Sequence, residues 1–234
     1  MRGTLLNTAT VAVGGAIGLA AGQLIPPSYQ QVALAGLGLV TVGIGIRMFL
    51  RTRNVLVIAI SVALGGVLGL ALGIHAGIDS FATWARGHLP GDMSRFNEGL
   101  ITSFVLFCIG PMTLLGCMQD ALEKKIDLLA LKSTMDGISA VFLAAAFGSG
   151  VLVTAVLLLV FQGALTLLAR KLKPLADRAE LLDELTASGG AILIGIGIGL
   201  IGLKDLHTAN YLPTLVLAPC VAALFVMLER RFAA

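Results

Sequence analysis

Eight apolar segments, each long enough to cross a bilayer, take up most of the 234-residue chain. A spanning helix needs about 20 mainly apolar residues to cross ~30 Å of hydrocarbon. The segments are 5–25, 32–50, 54–74, 99–120, 128–147, 149–169, 184–203 and 211–228. They are apolar on all sides, whereas a membrane β-strand alternates polar and apolar residues over ~10 positions. The sequence therefore predicts an all-α polytopic membrane protein, a single integral membrane domain over 1–234. Charged residues are only 12% of the chain and apolar ones 57%, whereas a soluble domain is nearer half apolar and about a quarter charged.

One boundary needs an argument. The 42 residues 128–169 contain no charged loop. As one helix they would be about 63 Å long, roughly twice the membrane. Gly148-Ser149-Gly150 is the predicted break, because glycine permits a tight turn. A re-entrant hairpin is the alternative for this stretch.

Charge supplies the orientation. With eight spans, one side carries Arg2, Arg47, Arg51, Arg53, Lys124, Lys125, Lys132, Arg170, Lys171, Lys173, Arg178, Arg230 and Arg231. The other carries only Arg86, Arg95 and Lys204. Thirteen against three predicts that both termini are cytoplasmic. Tyr29, Trp84 and Tyr211 then fall near the outer ends of spans, where amphipathic rings favour the interface. The first apolar run is too long for a signal-peptide core. Cys108, Cys117 and Cys220 lie within spans without ligand or redox spacing.

Glycine sets the packing logic. Gly14, Gly18 and Gly22 recur every four residues in the first span, Gly65, Gly69 and Gly73 in the third, and Gly195 and Gly199 in the seventh. Small residues at that spacing let helix backbones approach closely. The stretches VAVGGAIGLAAG (11–22) and VALGGVLGLALG (62–73) match at eight of twelve positions. The second and third spans also resemble the seventh and eighth, in opposite orientation, which is the pattern of an inverted repeat.

Polar residues at membrane depth are the informative ones, since a charge at the bilayer centre costs ~2.5–3.5 kcal/mol or more. Pro111 tends to kink the fourth span, and Thr113, Gln119 and Asp120 follow it. Lys132 and Asp136 are four apart on one helical face and able to pair. Lys132 can snorkel, but Asp136 lies about 6 Å deeper. A pair that merely fixes helix position is the competing reading. Asn7, Gln162 and Asn210 are uncharged polar groups in or at the start of spans, and Pro213 and Pro219 are expected to disturb the eighth. Together these residues suggest broken helices around a polar cavity. The candidate substrate- or ion-binding set is Asn7, Thr113, Gln119, Asp120, Lys132, Asp136, Gln162 and Asn210.

At this level the residues become familiar. GPMTLLGCMQDAL, KSTMDGISAVFLAAAFGSGV, VFQGALTLLA, TASGGAILIGIGIGLIGL and HTANYLPTLVLAP resemble the YqgA/YdfK-like bacterial inner-membrane family, catalogued as domain of unknown function 554. The opening GTLLNTATVAVGGAIGL resembles its N-terminus. The resemblance implies a multi-pass protein of the bacterial inner membrane, loosely described as a transport protein. Pro111, where a small residue is expected, and Phe161, where tyrosine is expected, depart from the pattern.

The function expected is transport of a small solute or ion, with proton or cation coupling. The alternative is a channel or a structural membrane-assembly subunit. Catalysis is not expected: Phe147-Gly148-Ser149-Gly150 only approaches a serine-nucleophile motif, and His75, His88 and His207 all fall at the outer rim. The expected partners are the lipid bilayer and the solute, with no nucleic acid and no cofactor; the small-residue faces are compatible with a homo-oligomer. Segment 76–95 is expected to lie on the outer surface as an amphipathic helix carrying Phe81, Trp84 and Leu89. The spacing of His75, Asp79, His88 and Asp92 matches no tight metal site.

Overall fold

The protein is described here by a computed structural model covering residues 1–88 and 95–232, with the side chains of 229–232 left aside. The described residues form helices throughout. They are α1 (Arg2–Gly22), α2 (Pro27–Phe49), α3 (Val55–Ala71), α4 (Ile74–Arg86), α5 (Phe96–Cys108), α6 (Pro111–Met118), α7 (Asp127–Phe147), α8 (Gly150–Leu167), α9 (Ala169–Ala176), α10 (Ala179–Leu200) and α11 (Thr214–Phe232). Among the described residues, six helices are long and apolar enough to cross a membrane, or eight if each of two bent pairs forms one span. The bent pairs are α3 with α4, at 48°, and α5 with α6, at 61°. Leu89 and Asp92 of the expected surface segment lie outside the described residues.

Each break has a local cause. Gly73 is left-handed (φ 63) and turns the chain from α3 into α4. It is therefore a turn residue and not the third member of a packing stripe. The α5–α6 break falls at Ile109 and Gly110, the latter at φ 120, a conformation that suits glycine. Pro111 does not kink a continuous helix; it opens α6 at a position where its missing N–H costs nothing. Gly148 (φ 81) and Ser149 separate α7 from α8, each long enough to span by itself. Pro219 leaves α11 unbroken.

The helices gather into two half-bundles. One contains α1, α6, α7 and α8; the other contains α2, α3, α10 and α11; α5 packs against members of both. The closest seam is α1 against α7. A Cβ on Gly14, Gly18 or Gly22 would collide with the carbonyl oxygens of Gly137, Val141 and Ala145 in turn. In the other half, Gly65 and Gly69 meet Thr214 and Asn210, and Gly38 and Gly45 of α2 meet Gly197 and Gly190 of α10. The tight contacts of α10 are thus made by Gly190 and Gly197; Gly195 and Gly199 stand more loosely, against the loop at 204–208. α10 is the most enclosed of the six straight spans, with 72% of its apolar window buried against 22–44% for the others. Helices hydrophobic on every side are suited to that position.

Since no hydrophobic driving force acts between helices in lipid, such seams depend on close dispersion contact. Gly18→Val should therefore lower the melting temperature in detergent by roughly 2–12 °C, from an overpacking cost of about 1–3 kcal/mol. Gly36→Ala, where a Cβ meets nothing within 4 Å, should leave it unchanged or raise it, because alanine is the better helix former by ~1 kcal/mol. An unaltered melting temperature in Gly18→Val would overturn the seam.

Candidate functional site

The α1–α7 seam determines what can meet inside the first half-bundle. Backbone contact lets the short Asn7 side chain reach across to α7, where Nδ2 donates to Asp136 Oδ2 at 3.0 Å. Lys132 Nζ donates to the same oxygen at 2.6 Å from one turn below. All three are buried: Asn7 is 0% exposed, Lys132 5% and Asp136 7%. Asp136 is nine residues into α7, about 13–14 Å along the helix; Asn7 is five residues into α1 and Gln162 five from the end of α8, about 7–8 Å from those helix ends.

Helix register places the other elements of this layer. Thr4 and Thr166 share a hydroxyl–hydroxyl bond of 3.1 Å, and Gly15 packs on Leu152. Rising through α1 therefore descends α8, and Asn7 comes level with Gln162. Gly116 packs on Leu129, and Gln119 Oε1 accepts from Leu128 N at 3.3 Å. By the same reckoning Thr113 comes level with Lys132, and the break at Ile109 and Gly110 comes level with Asp136. Consistent with that register, Cys108, the last residue of α5, lies within electrostatic reach of both Lys132 and Asp136. A broken span thus opens its backbone at the depth of the buried charge pair. Pro111 has no N–H to offer the carbonyl one turn before it.

Several polar atoms in this layer have no protein partner. They are Asn7 Oδ1, Thr113 Oγ1, and both Oε1 and Nε2 of Gln162. Gln162 is fully buried. Each such group costs about 1–3 kcal/mol, and a leucine at 162 would avoid the cost. The neighbouring Ser103–Thr154 contact shows the ordinary outcome: two buried hydroxyls 2.7 Å apart, each also bonded to backbone carbonyls.

The remaining sequence candidates lie elsewhere. Gln119 and Asp120 occupy one turn of π-helix that follows α6. They work as caps: Gln119 on the start of α7, and Asp120 on α1, where Oδ2 accepts from Gly3 N at 2.9 Å. Asn210 is in the other half-bundle, beyond α10, and its Oδ1 accepts from His75 N at 3.1 Å. It does not join the polar layer. Ser61 and Thr214 are buried hydroxyls without partners on α3 and α11, in the same half.

Glu184 is a group the sequence presented only as the start of a span. It is 2% exposed and accepts from Thr52 Oγ1, Arg53 N and Asn54 N at 2.7, 2.7 and 3.2 Å. Asp183 beside it binds Arg53 Nε at 2.8 Å. With the Gly3–Asp120 contact, this clamp gathers the helix ends rich in lysine and arginine at one end of the molecule, the basic end.

The opposite end holds a shallow cavity of about 210 Å³ among α4, α5 and α10. His75, Asp79, Asn97, Glu98 and Asp205 face it. The His75 and His207 ring centroids are 4.5 Å apart with the planes tilted by 48°, and Arg95 pairs with Glu98 while lying over the Phe147 ring. Among the described residues no three His, Cys, Asp or Glu side chains come together as a metal would require.

A family model described as "Protein of unknown function (DUF554)" matches residues 2–223. The chain belongs to the DUF554 family. Among its relatives, the "Uncharacterized membrane protein YdfK" of Bacillus subtilis (strain 168) is 29% identical over 225 residues, 94% of this chain and 95% of that protein. The "Uncharacterized protein YqgA" of Escherichia coli (strain K12) is 26% identical over 226 residues, 94% of this chain and 96% of the relative. No solved structure matches. This DUF554 chain is a membrane protein with several apolar helices.

Asp136→Asn should strand the buried Lys132 charge and cost about 3–5 kcal/mol, seen as a sharp fall in folded yield and melting temperature. The double variant Lys132→Gln with Asp136→Asn removes both charges and should recover most of that loss. A double variant as unstable as Asp136→Asn would show that the two residues do not act as a pair.

Proposed function

We propose that this DUF554 protein is a transporter of the bacterial inner membrane that carries a small solute or ion with proton or cation coupling. One observation carries the reading: the α5–α6 span is broken at the depth of the Lys132–Asp136 pair, with unpartnered polar groups of α1, α6 and α8 in the same layer. Discontinuous helices that present freed backbone and polar side chains near the bilayer midplane are how secondary transporters hold their substrates. Irregular backbone at that depth is tolerated only against protein or a polar cavity. Asn7, Thr113, Lys132, Asp136 and Gln162 form the proposed site. Gln119, Asp120 and Asn210 position helices around it. The chemistry asked of the site is binding and release.

The site gives a discriminating variant. Gln162→Leu replaces two unpartnered buried groups with an apolar side chain, so the melting temperature should hold or rise. Transport in proteoliposomes of whichever solute the wild type moves, from a panel of toxic ions, amino acids and polyamines, should fall at least about tenfold, the loss of roughly 1.4 kcal/mol of binding. A protein that assembles other membrane components would be indifferent to that change, and full transport by Gln162→Leu would remove the polar layer from the mechanism.

The reading also includes an orientation. With the basic end cytoplasmic, a reporter active only in the periplasm should give signal when fused after Arg86 or after His207 and none at Ala234. A signal at Ala234 would sink the eight-span reading and re-open the re-entrant reading of the Gly148 region.

A further inference from the structure

Resting on the transport reading above, we propose that the solute is a primary ammonium, and that it exchanges places with the Lys132 ammonium at Asp136, releasing one proton for each cation bound.

The site already holds such a group. Lys132 Nζ, an –NH3⁺, sits 2.6 Å from Asp136 Oδ2. An ammonium has three N–H donors; Asp136 takes one as the counter-charge, and the layer supplies uncommitted acceptors for the other two. The Asn7 amide has a fixed orientation, because its Nδ2 donates to the Asp136 carboxylate; its Oδ1 must therefore be the oxygen turned away, buried and without a partner. Gln162 Oε1 and Thr113 Oγ1 are likewise buried and unpartnered.

Two observations favour a cation over an anion. The one cationic donor of the layer, Lys132 Nζ, is engaged on Asp136, as is Asn7 Nδ2; only Gln162 Nε2 and the Thr113 hydroxyl are free to donate, and an anion there would meet the like charge of Asp136. The cavity at the opposite end presents Asp79, Glu98 and Asp205, with Glu98 paired to Arg95; an acidic surface at that end concentrates cations. An ammonium is favoured over a metal ion because Asp136 is the single carboxylate of the layer, and no three ligating side chains cluster among the described residues.

Charge balance then dictates the coupling. A second full positive charge beside Lys132, in a site with one negative charge, is prohibitively costly at this depth. Lys132 therefore gives up its proton when the solute binds. The solute R–NH3⁺ takes the hydrogen bond to Asp136, Lys132 becomes –NH2, and H⁺ leaves toward the basic end, to which Lys132 lies about 6 Å nearer than Asp136. No covalent bond other than N–H breaks, and the site's net charge is the same before and after. Cys108 on α5 lies within electrostatic reach of both partners and Cys117 on α6 within reach of Lys132; Cys117 also lies within reach of buried Asp120, which binds the Met1 ammonium at 3.0 Å. α1 and α8 face it with Asn7 and Gln162, which do not titrate.

The test uses the full chain in detergent, titrated calorimetrically with methylammonium chloride in two buffers of different ionisation enthalpy, with sodium chloride as control. The expected result is one proton released per methylammonium bound, with affinity rising about tenfold per pH unit and no comparable sodium binding. Lys132→Gln should bind methylammonium with no proton release and no pH dependence; if that variant does not fold, the proton count on the wild type decides alone. Binding without proton release overturns the exchange. Sodium binding of equal strength, or failure to bind methylammonium by a protein that moves another solute in proteoliposomes, overturns the ammonium class and leaves transport standing. A protein that moves none of the panel sinks both.

Discussion

The backbone-to-backbone contact of α1 with α7 is the interaction on which the interior depends. Asparagine has one of the shortest polar side chains, and it reaches Asp136 only because Gly14, Gly18 and Gly22 put α1 directly on the carbonyls of Gly137, Val141 and Ala145. Had those glycines been alanines, the axes would stand further apart and Asp136 would keep Lys132 as its only strong partner. The same contact sets the height of Asn7 against Gln162. Packing that looks purely structural thus fixes the geometry of the polar layer.

That layer is energetically uneven, and the unevenness separates its parts. The Lys132–Asp136–Asn7 group satisfies its charges internally, so burial of the pair is compatible with a stable bundle. Gln162 and Thr113 are different: their unpartnered groups oppose folding by about 1–3 kcal/mol each. The caps at the basic end show how thoroughly the chain meets such needs elsewhere, with Glu184 accepting three hydrogen bonds from the α2–α3 turn. Against that background the polar layer is where stability is forgone.

Much of the architecture could be read from the chain because apolar run length and loop charge are strong signals. The break at Gly148–Ser149 was legible from length alone, since no helix of 42 residues fits a bilayer. The break at Ile109 and Gly110 was only half legible. Pro111 marks irregularity, but the apolar run continues through it, so hydropathy cannot distinguish a kinked helix from two halves bent by 61°. Asn210 shows another limit: depth along a span can be counted from sequence, but not which half-bundle the span joins. Glu184 looked like the boundary of an apolar run because its partners at 52–54 are about 130 positions away. The three glycines of the third span read as one stripe, yet Gly73 serves a turn, a difference that lies in φ and not in composition.

The pairing of early helices with late ones has a consequence for biosynthesis. α1 packs on α7, α2 on α10 and α3 on α11; each glycine face made early in translation waits for a partner more than a hundred residues downstream. At about 5–20 residues per second, the delay between α3 and its clamp residue Glu184 is roughly 7–26 s. During that interval α3 resides in lipid with only the Asn54 side chain, bonded to Leu56 N, to close its first turn, and with Arg47, Arg51 and Arg53 holding its end at the surface. Each early span must therefore insert before the helix that covers its glycine face has been made. Each glycine seam acts as a latch that closes once its later helix has entered the bilayer, α1–α7 first and α3–α11 last.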